Sequence, residues 1–463
     1  MLIIRNEDFE QLSVFDQLLP KSCLELKGEL AVIDKILDDE SLLTPFIEKL
    51  NSKCGRPSIP LDTYIRMMYL KFRYNLGYET LCKEVSDSIS WKVFCHIPVC
   101  AEVPDYTTLA KLTKRFGEDT LEKLNTLILR KALEKKLIKA RKIRIDTTVI
   151  KSNIHHPTDA SLLSDGVKVL TRLVKKVKDA GVAVKSEFQD RTRSVKKRIL
   201  NIVKFAKNRN NEAKESVRKK VKELVEITKD VLHSANKVLT MAKDEIKKVK
   251  NKQRSSKAAL IQKLDDAISA VGKIIKQTNE VLKGNTSIPD RIVSIFDQGA
   301  RPIKRGKAKA EIEFGRKVAL AESEEGLIIS SHVEEGNPCD KTLAVQMVKK
   351  SIDVLNKVPE EVAADRGFYS SENEREIQGL NVKHVAIPKP GKKSEKRLKH
   401  ERQHWFKRLI RWRAGGEATI GLLKRKYGFG VCLFHGENTG IWVNLSIFSY
   451  NVTKLAKLMV QIC

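Results

Sequence analysis

Lys142-Ile143-Arg144-Ile145-Asp146-Thr147-Thr148-Val149-Ile150 alternates polar and apolar residues up to Asp146 and then turns β-branched, which predicts a strand from Lys142 to Ile150. Its acidic member, Asp146, follows directly on the alternating run. A second apolar run, Val362-Ala363-Ala364, ends at Asp365 and is followed at once by Arg366-Gly367. A third acidic residue, Glu417, stands near the start of a helical stretch, Glu417-Ala418-Thr419-Ile420-Gly421-Leu422-Leu423-Lys424.

The segments around these three predict the remaining elements. Ala310 to Ala321 alternates, a turn follows at Glu324-Glu325-Gly326, and Leu327 to Val333 completes a hairpin. Helices are expected from about Asp340 to Lys357, over Glu372 to Gly379, around Glu417 and from Trp442 to Val460; Val382 to Ile387 reads as a further strand. Alternation of this kind predicts an α/β protein whose mixed sheet is flanked by helices.

Upstream, residues 1–50 carry apolar side chains at helical spacing, and Gly55-Arg56-Pro57-Ser58-Ile59-Pro60 breaks the pattern. Leu61 to Tyr74 and Tyr78 to Asp87 read as two helices hinged at Asn75-Leu76-Gly77, and Asp105 as the N-cap of a third. Short helices with a tight hinge suit a helix-turn-helix-like DNA module. Between Pro157 and Pro289 there is no proline, and the apolar spacing is helical throughout. Residues 166–285 hold 32 Lys and Arg against 13 Asp and Glu, so this insertion reads as a basic bundle of long amphipathic helices. The expected organisation is a helical N-terminal DNA-binding domain over 1–138, the first part of a core over 139–165, the helical insertion over 166–288, and the rest of the core with C-terminal helices over 289–463.

Composition narrows the function classes. The chain has 463 residues, 41% of them hydrophobic, which suits two or three globular domains. With 88 Lys and Arg against 58 Asp and Glu, its formal charge is +30, which calls for a polyanionic partner. Double-stranded DNA is favoured over a membrane: no apolar run approaches the ~18 residues of a spanning helix, and Met1 to Asp8 lacks the charge order of a secretory signal. Eight scattered cysteines fit reduced thiols in a cytoplasmic, nucleoid-associated protein. There is no Gly-x-Ser-x-Gly elbow and no phosphate loop, so neither a serine hydrolase nor an ATPase is indicated.

Asp146, Asp365 and Glu417, carried by two strands and a helix, can converge on a pair of Mg²⁺ ions, for which Mn²⁺ can substitute; hard carboxylate oxygens are the ligands such ions prefer. Asp146, on a central strand, would bridge the pair. Residues 389–413 hold 11 Lys and Arg interleaved with Trp405, Phe406 and Trp412; Lys407, Arg408, Arg411 and Arg413 would grip phosphates, while an aromatic such as Trp405 would stack on an unpaired base. His155 and His156, soon after the first strand, could contact DNA or orient Asp146.

The run Asp146-Thr147-Thr148, with Asp365-Arg366-Gly367-Phe368-Tyr369-Ser370 and Arg413-Ala414-Gly415-Gly416-Glu417 followed by Lys424, resembles a DDE transposase of a bacterial insertion sequence. The Arg413, Glu417 and Lys424 spacing is similar to that of the Y-R-E-K branch, although the branch's tyrosine falls on Ile410 here. The long insert with Asn153-Ile154-His155-His156-Pro157-Thr158-Asp159 is similar to the ISNCY group. The resemblance implies an RNase H-like core with Asp146, Asp365 and Glu417 as catalytic metal ligands, and Arg413 and Lys424 contacting DNA. It further implies recognition of terminal inverted repeats, cleavage, strand transfer to target DNA, and a homodimer that synapses two ends. The alternatives are a non-transposing nuclease of the same fold and a catalytically silent DNA-binding protein.

Overall fold

In the computed structural model, the described residues are 3–5, 19–50, 57–206, 208, 210–247, 254–304, 312–434 and 436–462. Gly55-Arg56, most of Met1 to Asp8, and Ala310-Glu311 at the head of the expected strand lie outside them. The chain divides into two compact units, one made of 1–153 with 316–463 and the other of 154–315.

The N-terminal part of the first unit is helical: α1 (Gly28–Leu37), α2 (Leu61–Arg73), α3 (Tyr78–Asp87) and α4 (Tyr106–Glu134), with short helical turns between them. Asp105 caps α4 by accepting the Thr107 N–H at 2.8 Å. Gly117, at φ 76°, kinks α4 internally, a conformation a Cβ would oppose. The helix-turn-helix likeness fails at α2, because every residue from Leu61 to Phe72 is buried. A helix buried all round is core rather than a groove reader. The ring of Trp442, on the last helix, lies 4.6 Å from the Lys71 ammonium on α2. Tyr69 of α2 also hydrogen-bonds Thr453, so the N-terminal helices share the core of the sheet domain.

After α4 the chain enters β1 (Lys142–Ser152) and then the second unit. That unit packs α5 (Asp159–Asp179), α6 (Thr192–Ala206), α7 (Asn211–Lys247) and α8 (Arg254–Lys283) around one apolar core. Thr158 and Ser161 cap α5 reciprocally. Gly166 lets α5 approach α8, since a Cβ there would stand 3.0 Å from Val271 Cγ2. The unit is wider than the 166–288 read from charge and proline spacing: it takes in 154–165 and 289–315, including β2 (Arg301–Ile303), which pairs with Glu313–Gly315.

The first unit resumes in β3 (Glu313–Ser323), then β4 (Ile328–Val333), α9 (Ala344–Leu355), β5 (Glu361–Ala364), α10 (Ser371–Gly379), β6 (His384–Ala386), α11 (Glu395–Arg402), α12 (His404–Ala414), α13 (Gly416–Lys426), β7 (Val431–Cys432) and α14 (Thr439–Ile462). The sheet order is β2-β3-β1-β5-β6, with β4 also paired to β3 and β7 to the end of β1. β3 and β4 are antiparallel, whereas β1, β5 and β6 are parallel. This is a mixed sheet flanked by helices in the RNase H-like arrangement.

Strand periodicity sorts the sheet's two faces. Ile143, Ile145, Val362 and Ala364 face the core built with Met347 and Val348 of α9 and Ile377 of α10. On the other face, Ala363 and Ala386 pack against Phe406 and Leu409 of α12. Arg144, Asp146 and Asp365 belong to this second face, and the two alanines leave room for α12 to lie close to it. No helix among the described residues is long and apolar enough to cross a membrane.

Candidate active site

Parallel pairing of β1 with β5 matches Ile145 to Ala364, so the next residue on each strand is an aspartate, Asp146 or Asp365. Neighbouring strands stand about 4.8 Å apart, which forces the two carboxylates side by side. Asp146 is the fifth residue of an eleven-residue strand rather than a strand end; β5 is the strand that stops at this level. Each aspartate also accepts the next backbone N–H at 2.8 Å, Thr147 for Asp146 and Arg366 for Asp365, which fixes its orientation.

Arg413, in the last turn of α12, spans the pair. Its Nη1 lies 3.4 Å from Asp146 Oδ2 and its Nη2 3.9 Å from Asp365 Oδ1. Just past the Gly415-Gly416 bend stands Glu417, exposed in the first turn of α13, where the helix dipole favours a carboxylate. Burial pushes the Asp146 carboxyl above its ordinary range; Arg413 and the Thr147 N–H oppose this, and the negative charges of Asp365 and Glu417 add to it. All three acidic side chains therefore share one electrostatic neighbourhood. Lys424, seven residues after Glu417, returns to the same side of α13 and is half-buried.

These groups suit divalent cations on their own chemistry. One guanidinium bridges two carboxylates, and Asp365 and Glu417 add negative charge around Asp146, a set of hard oxygens of the kind such ions prefer. A second acidic cluster, Asp34 and Asp38 with His96, places its ligand atoms within 4.8 Å of one another. That cluster is filled otherwise: buried Arg66 pairs with both Asp34 and Asp38.

The other expected DNA contacts divide. Lys407 and Arg411 are exposed on α12. Arg408 is turned to Glu361, 2.5 Å away at the far end of β5 from Asp365. Trp405 is eight residues before Arg413, about 12 Å along the helix axis. It stacks on His384 with centroids 4.6 Å apart and donates to Gln403 Oε1. The structure thus does not bring Trp405 or Arg408 to the carboxylates. His155 faces Asp165 at 3.4 Å, and His156 rests edge-on against Phe314.

Sequence reading passed over Arg144. As the polar member of an alternating run it reads as solvent-facing, yet only 8% of it is exposed. It forms two bonds to Glu322 of β3, at 2.8 and 2.5 Å, and its Nη1 donates to Trp412 O at 2.8 Å. The Gly415-Gly416 pair, which leaves space beside it, was the available signal.

Two family models match the chain. A transposase domain (DUF772) covers residues 13–115, and a transposase DDE domain covers 288–451. The second range holds Asp365, Arg413, Glu417 and Lys424; Asp146 precedes it. The chain is also 28% identical over 157 residues to an uncharacterized protein, ORF8 in the nfe locus, of Rhizobium meliloti, which is 33% of this chain and 73% of that one. No solved structure matches. The chain therefore carries a DUF772-type transposase domain followed by a DDE transposase domain, the catalytic domain of enzymes that cut DNA, transfer its strands and generally use a divalent metal.

Proposed function

We propose that this protein is an insertion-sequence transposase that binds the terminal inverted repeats of its element, cuts at their ends and joins the freed 3′-hydroxyls to target DNA. The observation that carries the proposal is the register that sets Asp146 beside Asp365, with Arg413 across both and Glu417 at the head of the next helix. In this reading Asp146, Asp365 and Glu417 would hold two Mg²⁺ ions, Mn²⁺ substituting, with Asp146 as the ligand they would share. Bound there, the ions would activate the attacking oxygen and stabilise the leaving one.

The chain's own groups do the rest. The Thr147 and Arg366 N–H groups keep the two aspartates oriented. Lys424, on the Glu417 side of α13, and exposed Lys407 and Arg411 hold phosphates, which positions the scissile strand. Arg413 neutralises the two aspartates here and would be free to hold a phosphate where their charge is met otherwise. The Arg413, Glu417 and Lys424 spacing supports placement in the Y-R-E-K branch, and the long insert a relation to the ISNCY group. The basic insertion and the helical N-terminal region supply further DNA contacts, a homodimer synapses the two ends, and the protein works in the cytoplasm on nucleoid DNA.

The test is a plasmid carrying the element's inverted repeats, incubated with protein and Mg²⁺ or Mn²⁺. Nicks at the repeat ends and joined products are expected from the wild type. Asp146→Asn, Asp365→Asn and Glu417→Gln should each lose cleavage while still shifting the DNA in a gel. Cleavage retained in any of the three overturns the assignment. Nicking without joined products would instead identify a nuclease of the same fold, and DNA binding without metal-dependent nicking a silent DNA-binding protein.

A further inference from the structure

Arg144 lies two residues before Asp146 on the same face of β1, and α12 and α13 cover it there. Its Nε and Nη2 donate to the two oxygens of Glu322, a bidentate ion pair linking neighbouring strands β1 and β3. Nη1 donates to the carbonyl of Trp412, in the last turn of α12, which also accepts the Gly415 N–H at 3.1 Å. The guanidinium also lies 5.0 Å from the Trp412 ring. On the far side of the junction, Thr419 Oγ1 of α13 donates to Glu322 Oε1 at 2.8 Å. The bend itself lies against the guanidinium: a Cβ on Gly415 would stand 3.0 Å from Nη1, and one on Gly416 3.2 Å from Nε.

One buried pair thus holds the residue just before Arg413 and the residue two beyond Glu417. We propose that Arg144, acting with Glu322, is the positioning residue that sets Glu417 and Arg413 against Asp146 and Asp365, and so fixes the spacing of the carboxylates. This rests on the reading of those carboxylates as a cation site. A buried ion pair is a poor source of net stability, because desolvating both charges cancels most of their attraction, but it is directional. Here its direction runs from the strand that carries one acid to the helix that carries another.

The test uses the full chain with Fe²⁺ in place of Mg²⁺, treated with ascorbate and peroxide, so that radicals cut the backbone beside bound iron. The wild type should be cut near Asp146, Asp365 and Glu417. Arg144→Gln should keep the first two cuts and lose the third by about tenfold, roughly the worth of a charge-assisted hydrogen bond. Arg144→Lys, which retains the charge but not the fork, should recover it in part. If Arg144→Gln fails to fold, Arg144→Gln with Glu322→Gln leaves no lone buried charge and is read in its place. Thr419→Val, which keeps the ion pair and removes only the tie to α13, should weaken the Glu417 cut by about threefold. Folded variants that keep the wild-type pattern overturn the positioning role. A wild type uncut at these places overturns the cation site itself, a separable result.

Discussion

Replacing Asp146 by asparagine should stabilise the protein without metal and destroy its response to metal. The Asp146→Asn variant keeps an oxygen for the Thr147 N–H and removes a charge that burial and two like neighbours disfavour. The sign follows from the raised carboxyl. Above the ordinary aspartate range the native state binds more protons here than the unfolded chain, so this group's contribution to stability falls as pH rises through the native value. At neutral pH the ionised side chain is therefore a net cost, despite Arg413. Substitutions that relieve such sites gain about 1 kcal/mol. For a unit of about 300 residues, that raises the melting temperature by roughly 1.5 °C. Mg²⁺ at about a hundredfold over its dissociation constant should stabilise the wild type by ~2.7 kcal/mol. That is roughly 4 °C on the same scale, and Asp146→Asn should gain none of it. The order of melting temperatures should therefore invert when Mg²⁺ is added, as read by calorimetry on both proteins with and without the ion. Equal shifts in both, or a lower melting point for the variant without metal, would refute the reasoning.

Two further predictions concern the helical part of the first unit. Arg66→Met strands Asp34 and Asp38 beside each other and should cost about 3 kcal/mol, the low end for a broken buried pair; urea unfolding would read it, and a loss under ~1 kcal/mol would mean the cluster is slack. Burial lowers the Lys71 ammonium to about 8, so the native state binds fewer protons than the unfolded chain from there up to the ordinary lysine range. Stability should rise with pH across that window and stay flat below it, by at most about 3 kcal/mol, because the rings of Phe72, Tyr78 and Trp442 favour the charged form. Subtracting the pH profile of Lys71→Met isolates this group, and identical profiles would rule it out.

Local pattern carried much of the architecture. The strands holding Asp146 and Asp365 and the helix holding Glu417 were readable because each is decided within a few residues. The hairpin turn was readable because Gly326 supplies the positive φ of 85° it needs. The adjacency of Asp146 and Asp365 was not readable, since register is set by pairing across more than two hundred residues. α12 escaped because only Phe406 and Leu409 of its residues are buried, too few to show a helical stripe among so many cations. β7, two residues long, offers no period at all. Arg144 was passed over for an instructive reason: alternation tells which face a side chain takes, but not whether another helix will cover that face.

The route of the chain into its helical unit has a consequence of its own. The backbone departs just after β1 and comes back within β3, and these two strands are neighbours in the sheet. Because closing a loop costs only slowly more as it lengthens, a gap bounded by adjacent strands can host a cassette of nearly any size. Such a cassette can be enlarged, trimmed or exchanged while the strands on either side of it, one of them the bearer of Asp146, stay where they are.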